Sequence, residues 1–313
     1  MTTLRLATFN VENLFARWRF QEGVNPADAN TRGWIVDQTH FVELGQEDKA
    51  ITGAAVGEID ADVLALQEVE NVDTLKHFRD RSLGPGKYPY VAGVDGNDNR
   101  RLIDVAVLSK LPITHIRTHQ HHLDPANPTQ GLFSRDCLEV DVEVGTGLSK
   151  NTVTIYVNHF KSMEGGRSQT RALRERQSAK VMEIVTERFG QSSPGDSPFV
   201  ILGDLNDYME TNGDGSPGID ELVGWDQVQN VVTRLPEGDQ WTHYWATGDE
   251  YRQLDYLLPS ASLATATQTT PEIFRMGMPL RAIRYKGPRF MGVGLDKPKA
   301  SDHCPVIFDI EVG

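Results

Sequence analysis

Six short stretches of this chain carry groups able to hold a hard cation or move a proton. They are Asn10-Val11-Glu12-Asn13, Gln67-Glu68, Asn158-His159-Phe160-Lys161, Gly203-Asp204-Leu205-Asn206-Asp207, Asp255-Tyr256 and Ser301-Asp302-His303. Carboxylates, amides and imidazoles make up the set. Glu12, Glu68 and Asp302 are oxygen donors of the kind that suit Mg²⁺, Mn²⁺ or Ca²⁺ rather than zinc. Each stretch alone has a plain structural reading, because Gly-Asp is a common turn dipeptide and aspartate often caps a turn. A lone histidine at a strand end is more often a satisfied surface or core group than a catalyst. Six such positions together exceed what folding stability requires. The chemistry they suggest is work assisted by a hard metal ion.

The elements that must position these groups are short apolar runs with β-branched residues, at 4–9, 63–67, 103–109, 138–144, 152–158, 199–203, 254–258 and 305–310. Several alternate apolar and polar residues, the period of a half-buried strand. Helical periodicity predicts a long helix over 168–189 and a second over 72–83, after Glu70 and Asn71. Six chemical groups therefore sit at strand ends, where a rigid scaffold presents function. Many strands with a few helices predict an α/β (α+β) fold of two packed sheets with helices outside. The expected organisation is one domain over 1–313, with loop insertions near 16–58, 116–133 and 209–221.

The 313 residues carry a net charge of −13, which argues against indiscriminate binding to polyanions. Segment 161–180 nevertheless holds six Lys/Arg against two Glu, and 281–299 holds six against one Asp. Either these are solvated faces or they are basic walls beside an acidic pocket. No apolar run reaches the roughly 20 residues of a membrane helix. The first residues read as a strand rather than a leader, so a cytoplasmic location is the default expectation, with a removed leader left open. Cys137 and Cys304 suggest core packing rather than a disulfide framework. His115, His119, His121 and His122 lack a ligand spacing, and Asn212-Gly213-Asp214-Gly215 reads as a turn-rich loop.

In order and wording, the six stretches resemble the successive signatures of the endonuclease/exonuclease/phosphatase superfamily. That group includes deoxyribonuclease I, exonuclease III-type apurinic-site endonucleases, neutral sphingomyelinases and inositol-polyphosphate 5-phosphatases. Gly203-Asp204-Leu205-Asn206 and Ser301-Asp302-His303 are the most specific pieces, and the resemblance runs from residue 4 to residue 310. It implies a four-layer αββα sandwich, two mixed β-sheets flanked by helices, with the site at one edge. By the same resemblance Glu68 is the principal metal ligand, Glu12 supports the ion, and Asp302 assists it or binds a second. Asn10 and Asn206 would orient phosphate oxygens or water, and Asp204 would align or deprotonate the attacking water. His303 would act as base or as donor to the phosphoryl oxygen, with Asp255 as its orienter. His159 would be a second donor or the acid to the leaving group. Lys161 and Arg135 are candidates for phosphate contact, Arg135 alternatively pairing with Asp136 or a neighbour. The family often has aspartate where this chain has Glu12.

No arginine follows Gly203-Asp204-Leu205-Asn206 closely, and Asp255 precedes tyrosine rather than arginine. Both features resemble the nuclease branch more than the inositol phosphatases. The expected partner is a nucleic acid substrate, with Mg²⁺ or Mn²⁺ as cofactor and Ca²⁺ a third choice. Alternatives are a phosphatase or phosphodiesterase for small or lipid phosphoesters, and a catalytically inactive binding module.

Overall fold

The computed structural model describes residues 2–28, 33, 40–84, 86–147, 150–190 and 192–313. Eleven strands build its two large sheets: β1 (Thr2–Leu14), β2 (Val63–Val69), β3 (Tyr90–Gly93), β4 (Asp104–Ser109), β5 (Ile113–Arg117), β6 (Cys137–Val144), β7 (Asn151–His159), β8 (Phe199–Asp204), β9 (Asp255–Pro259), β10 (Glu272–Ile273) and β11 (Val306–Val312). The six-stranded sheet runs β10-β11-β1-β2-β4-β3 and the five-stranded sheet β9-β8-β7-β6-β5. Both are mixed. The first has one parallel pair, β1 with β2, and the second has β7 with β8; every other pairing is antiparallel.

Strand alternation sorts the apolar residues into three layers of core. Leu4, Leu6, Val63 and Ala65 of the first sheet meet Ile155, Val157, Val200 and Leu202 of the second between the sheets. On the outer face of the first sheet, Phe9, Leu64 and Leu66 pack against helices α1 (Gln46–Ile59) and α2 (Val72–Ser82). On the outer face of the second, Tyr156, Phe199 and Ile201 pack against α3 (Arg167–Phe189). The result is the αββα sandwich. Cys137 lies in the outer layer of the second sheet and Cys304 between the sheets, both fully buried and unbridged.

All eight expected strands form, and both expected helices do. Asn71 caps α2 by accepting the Thr74 N–H at 2.8 Å. The expected loop over 16–58 is more ordered than its composition suggests, although residues 29–32 and 34–39 lie outside the described ones. It contains a small hairpin, Trp18–Phe20 with Phe41–Glu43, and the whole of α1. The helix escapes notice because Gly53 and Gly57 weaken its propensity, and only Ile51, Ala55, Val56 and Ile59 mark its apolar stripe. Gly53 is there for contact: a Cβ would come within 2.7 Å of Ser82 Cβ on α2. A second hairpin, Leu123–Asp124 with Asn127–Gly131, occupies the expected 116–133 loop. In the third loop Asn212 and Gly215 pair across a tight turn. No helix among the described residues is long and apolar enough to cross a membrane.

The start of α3 is locked to the loop after β8 by buried charge. Asp207 accepts from Arg167 Nε at 2.6 Å, Arg174 Nε at 2.8 Å and the Gly218 N–H at 2.8 Å. Arg174 and Asp207 are wholly buried. Removing one partner strands the others without water. Asp207→Ala is therefore expected to cost about 3–5 kcal/mol of unfolding free energy in urea titration; a loss below about 1 kcal/mol would mean the lock is dispensable.

Candidate active site

Register explains how distant residues converge. Asn10 stands opposite Gln67 across the parallel pair β1/β2. His159 stands opposite Asp204 across β7/β8, and Asp204 opposite Asp255 across β8/β9. Thr8 pairs with Val306, so residues 301–303 lie just past the same end of β1. Alternation then aims the side chains: Asn10 shares a face with Leu4 and Leu6, His159 with Val157, Asp204 with Leu202, and Asp255 with Leu257. All four emerge at the rim of the layer between the sheets.

Glu68 breaks this rule. By alternation it belongs with Leu64 and Leu66 on the helix side, but a bulge between Gln67 and Val69 interrupts the ladder, and Glu68 takes a left-handed φ of 66°. Its carboxylate reaches 3.5 Å from Arg101 and 3.9 Å from His159 Nε2. Glu12 (φ 48°), Asn13 (φ 64°) and Asn206 (φ 53°) are also left-handed. Such conformations cost energy and persist where surrounding structure enforces them; here they gather at one rim. Gly203 has φ 130°, and a Cβ there would lie 2.0 Å from the Asn158 carbonyl oxygen, so only glycine permits β8 to bring Asp204 this close to β7.

Asp204 is the hub. It accepts from Asn10 Nδ2 at 3.0 Å, from the Asn206 N–H at 2.8 Å and from Asn206 Nδ2 at 3.0 Å. His159 Nε2 lies 3.5 Å and His303 Nε2 3.8 Å from its Oδ2. His303 Nδ1 is 2.8 Å from Asp255 Oδ2, which also accepts from Thr242 Oγ1 at 2.7 Å. The Thr242 hydroxyl in turn accepts the Leu254 and Asp255 N–H groups at 3.0 Å each. Ser301 Oγ donates to the Asn10 carbonyl at 2.7 Å and fastens the last loop to β1.

Burial and neighbouring charge pull these groups apart in acidity. Burial opposes the charged form of His303, but the carboxylates of Asp255 and Asp204 outweigh it and hold its pKa well above the ordinary range. Burial raises the Asp204 carboxyl, and Asp255 adds to that, against the nearby His303 and the Asn10 hydrogen bond. For His159, burial and the Arg135 and His303 charges push the pKa well down, so its ring is neutral. Its Nδ1 has no hydrogen-bond partner among the described residues.

The donor set suits a hard divalent cation. Glu68 is only 8% exposed, yet its carboxylate accepts no hydrogen bond among the described residues, and its two ionic neighbours stand at 3.5 and 3.9 Å. A buried carboxylate so poorly satisfied is what a cation would complete. Glu12 is engaged differently: its Oε2 takes the Lys299 ammonium at 2.8 Å and the Asp302 N–H at 2.9 Å. Two further groups could hold a metal, Asp204 with Asp255 and His303, and Asp302 with His243 and His303.

Lys161 and Arg135 stand to one side. Lys161 Nζ bonds the Ser162 carbonyl at 3.0 Å, and Arg135 Nε is 3.1 Å from Asp98. Asp136, the other suggested partner, instead accepts the His119 N–H. Most cations of the two basic segments are already paired rather than left to form walls. In 161–180, Arg167 and Arg174 bind Asp207, Arg176 binds Asp124 and Lys180 binds Glu183. In 281–299, Arg281 binds Asp296, Lys297 binds Asp48 and Lys299 binds Glu12. The positive rim comes mainly from elsewhere: Arg100, Arg101 and Arg135 line one open groove, with Lys161 alone drawn from segment 161–180. Sequence reasoning missed Arg101, Thr242, His243 and Lys299. Only Lys299 carried a signal, three residues before Asp302.

The sequence description of the Endonuclease/Exonuclease/phosphatase family matches residues 7–303. No curated protein matches the chain by sequence. Among solved structures, a family protein from Bacteroides thetaiotaomicron is similar at 14% identity and a TM-score of 0.60, covering 99% of this chain and 97% of its own. Truncated TDP2 from Caenorhabditis elegans is similar at 18% identity and a TM-score of 0.58, covering 99% and 98%. The human Nocturnin catalytic domain, solved with a bound sulfate anion, is similar at 13% identity and a TM-score of 0.58, covering 99% and 94%. At these identities the likeness establishes a shared fold.

The electrostatics yield a test. The native His303 pKa lies above its unfolded value, so the charged ring stabilises the fold fully below the unfolded pKa, about 6.5, and that contribution is lost as pH rises through the native value. In Asp255→Asn the His303 titration midpoint, read from its imidazole NMR resonance, should fall toward the ordinary range. An unmoved midpoint would show that Asp255 does not set the charge of this ring.

Proposed function

This chain belongs to the endonuclease/exonuclease/phosphatase family, and on that premise we propose that it is a divalent-metal-dependent nuclease cleaving phosphodiester bonds of a nucleic acid. Family membership supports hydrolysis of a phosphoester. The observation that carries the narrower reading is the groove of about 1010 Å³ beside Glu68, lined by Arg100, Arg101, Arg135 and Lys161. On a chain of net charge −13, a groove that sets these four cations against two carboxylates, Asp98 and Glu164, favours a phosphate backbone as the ligand. The sulfate held by Nocturnin, a tetrahedral anion like phosphate, agrees with an anion site on this fold. Residues 1–313 are read as one catalytic domain.

In this mechanism Glu68 would hold the cation, with Glu12 and Asp302 as further candidate carboxylates. When bound, Mg²⁺ or Mn²⁺ polarises a phosphoryl oxygen and steadies the leaving oxygen. Asp204, its pKa raised by burial, aligns the attacking water and takes its proton. Asn10 and Asn206 fix that carboxylate by three hydrogen bonds. His303, kept protonated between Asp204 and Asp255, donates to a phosphoryl oxygen rather than serving as base. His159, neutral, adds a second donor through Nε2. Arg135 and Lys161 hold flanking phosphates.

Plasmid nicking in Mg²⁺ or Mn²⁺ tests the reading, and EDTA should abolish it. Asp204→Ala and His303→Ala should each lower kcat by about 10²–10⁴. Full activity in either variant would remove its assigned role. Turnover of bis-p-nitrophenyl phosphate with no cleavage of DNA or RNA would replace the nuclease by a small-phosphoester hydrolase.

A further inference from the structure

A second groove, of about 860 Å³, opens along His303 and Asn206. It adjoins the basic groove, since Ser162 and Glu164 line both. Its chemistry is different. The arginines in its wall are already paired, Arg167 with Asp207 and Arg252 with Glu250. Both also lie over the Tyr208 ring, at 3.6 and 4.9 Å from its centroid. A phosphate has little to gain here.

Trp245 is the exception in that wall, 51% exposed although large and apolar. It ends the strand His243–Trp245, which pairs with Glu250–Arg252. Residues two apart on a strand share a face. His243 packs on His303, ring centroids 4.6 Å apart, so Trp245 stands on the same side roughly 7 Å farther out. Tyr244, between them, is buried against Tyr251 with centroids 4.7 Å apart, and its hydroxyl bonds Asp249 at 3.1 Å. Gly248 lies against the indole, where a Cβ would come within 2.4 Å of Cε3 and Cζ3. The hairpin thus holds the ring by one side and presents the rest to the groove.

An uncharged, rigidly held aromatic surface one step from the reacting phosphate, beside a groove for phosphates, fits one part of a nucleic acid. We propose that Trp245 is a stacking platform for the base of a nucleotide next to the scissile phosphate. Every base has a π face, so such a platform binds single strands without reading sequence. The proposal rests on the nuclease reading and adds to it a preference for unpaired or splayed nucleotides.

The test is binding of a labelled single-stranded oligonucleotide in EDTA, followed by fluorescence anisotropy, with an abasic oligomer of equal length as control. Trp245→Ala should weaken binding of the base-bearing strand about tenfold, as loss of one base–aromatic stack does. Trp245→Phe should restore most of that, and the abasic strand should bind all three proteins alike. Equal loss on both strands, or no loss on the base-bearing one, would overturn the platform while leaving the nuclease intact. Failure of the wild-type protein to bind or cut any oligonucleotide would overturn both.

Discussion

At one rim of the sandwich, the gap between two packed sheets is closed by a hydrogen bond from Asn10 on β1 to Asp204 on β8. The sheets are otherwise held apart by a layer of apolar side chains, and such layers keep a spacing of about 10 Å. Two carboxyl ends of parallel pairs must therefore face each other across a fixed distance. The site inherits its accuracy from that packing. A small slide of one sheet would part Asn10 from Asp204, and with it the alignment of Asn206, His159 and His303.

The same rim concentrates charge that water would otherwise screen. Asp204, Asp255 and His303 are each at most 8% exposed, and buried charges persist only when paired and hydrogen-bonded. The pairing is layered: Thr242 satisfies Asp255, Asp255 holds the imidazolium, and two asparagines satisfy Asp204. Opposite demands of burial and charge separate two acidities in one small volume, a carboxyl made more basic beside an imidazole made harder to deprotonate. Left-handed backbone at Glu12, Glu68 and Asn206 shows that the chain accepts strain to reach this arrangement.

Much of this was legible in the sequence because strands announce themselves by β-branched runs and because the candidate site groups sit where those runs stop. Asn10, Asp204 and His303, which the fold brings together, are singled out that way. Elements that depend on tertiary contact were not. Helix α1 hides behind Gly53 and Gly57, and the value of Gly53 lies in close approach to α2 rather than in local propensity. Thr242 serves Asp255 through a hydroxyl with no spacing rule to betray it. Runs of lysine and arginine misled for a physical reason: a charge count does not record partners, and Asp207, Asp124 and Asp296 alone absorb four of those twelve cations. Arg101, in a loop of mixed sign, had nothing to distinguish it until the bulge at Glu68 turned a carboxylate toward it.

The two cysteines sit in separate layers of core, and burial pushes both thiols up, away from ionisation. Thiolate is the reactive form, so a thiol-directed reagent meets no cysteine target while the sandwich is closed. Thiol chemistry in this protein is thereby kept apart from the redox state of its surroundings. Covalent labelling at Cys304, the neighbour of His303, would report the moment the sheets separate.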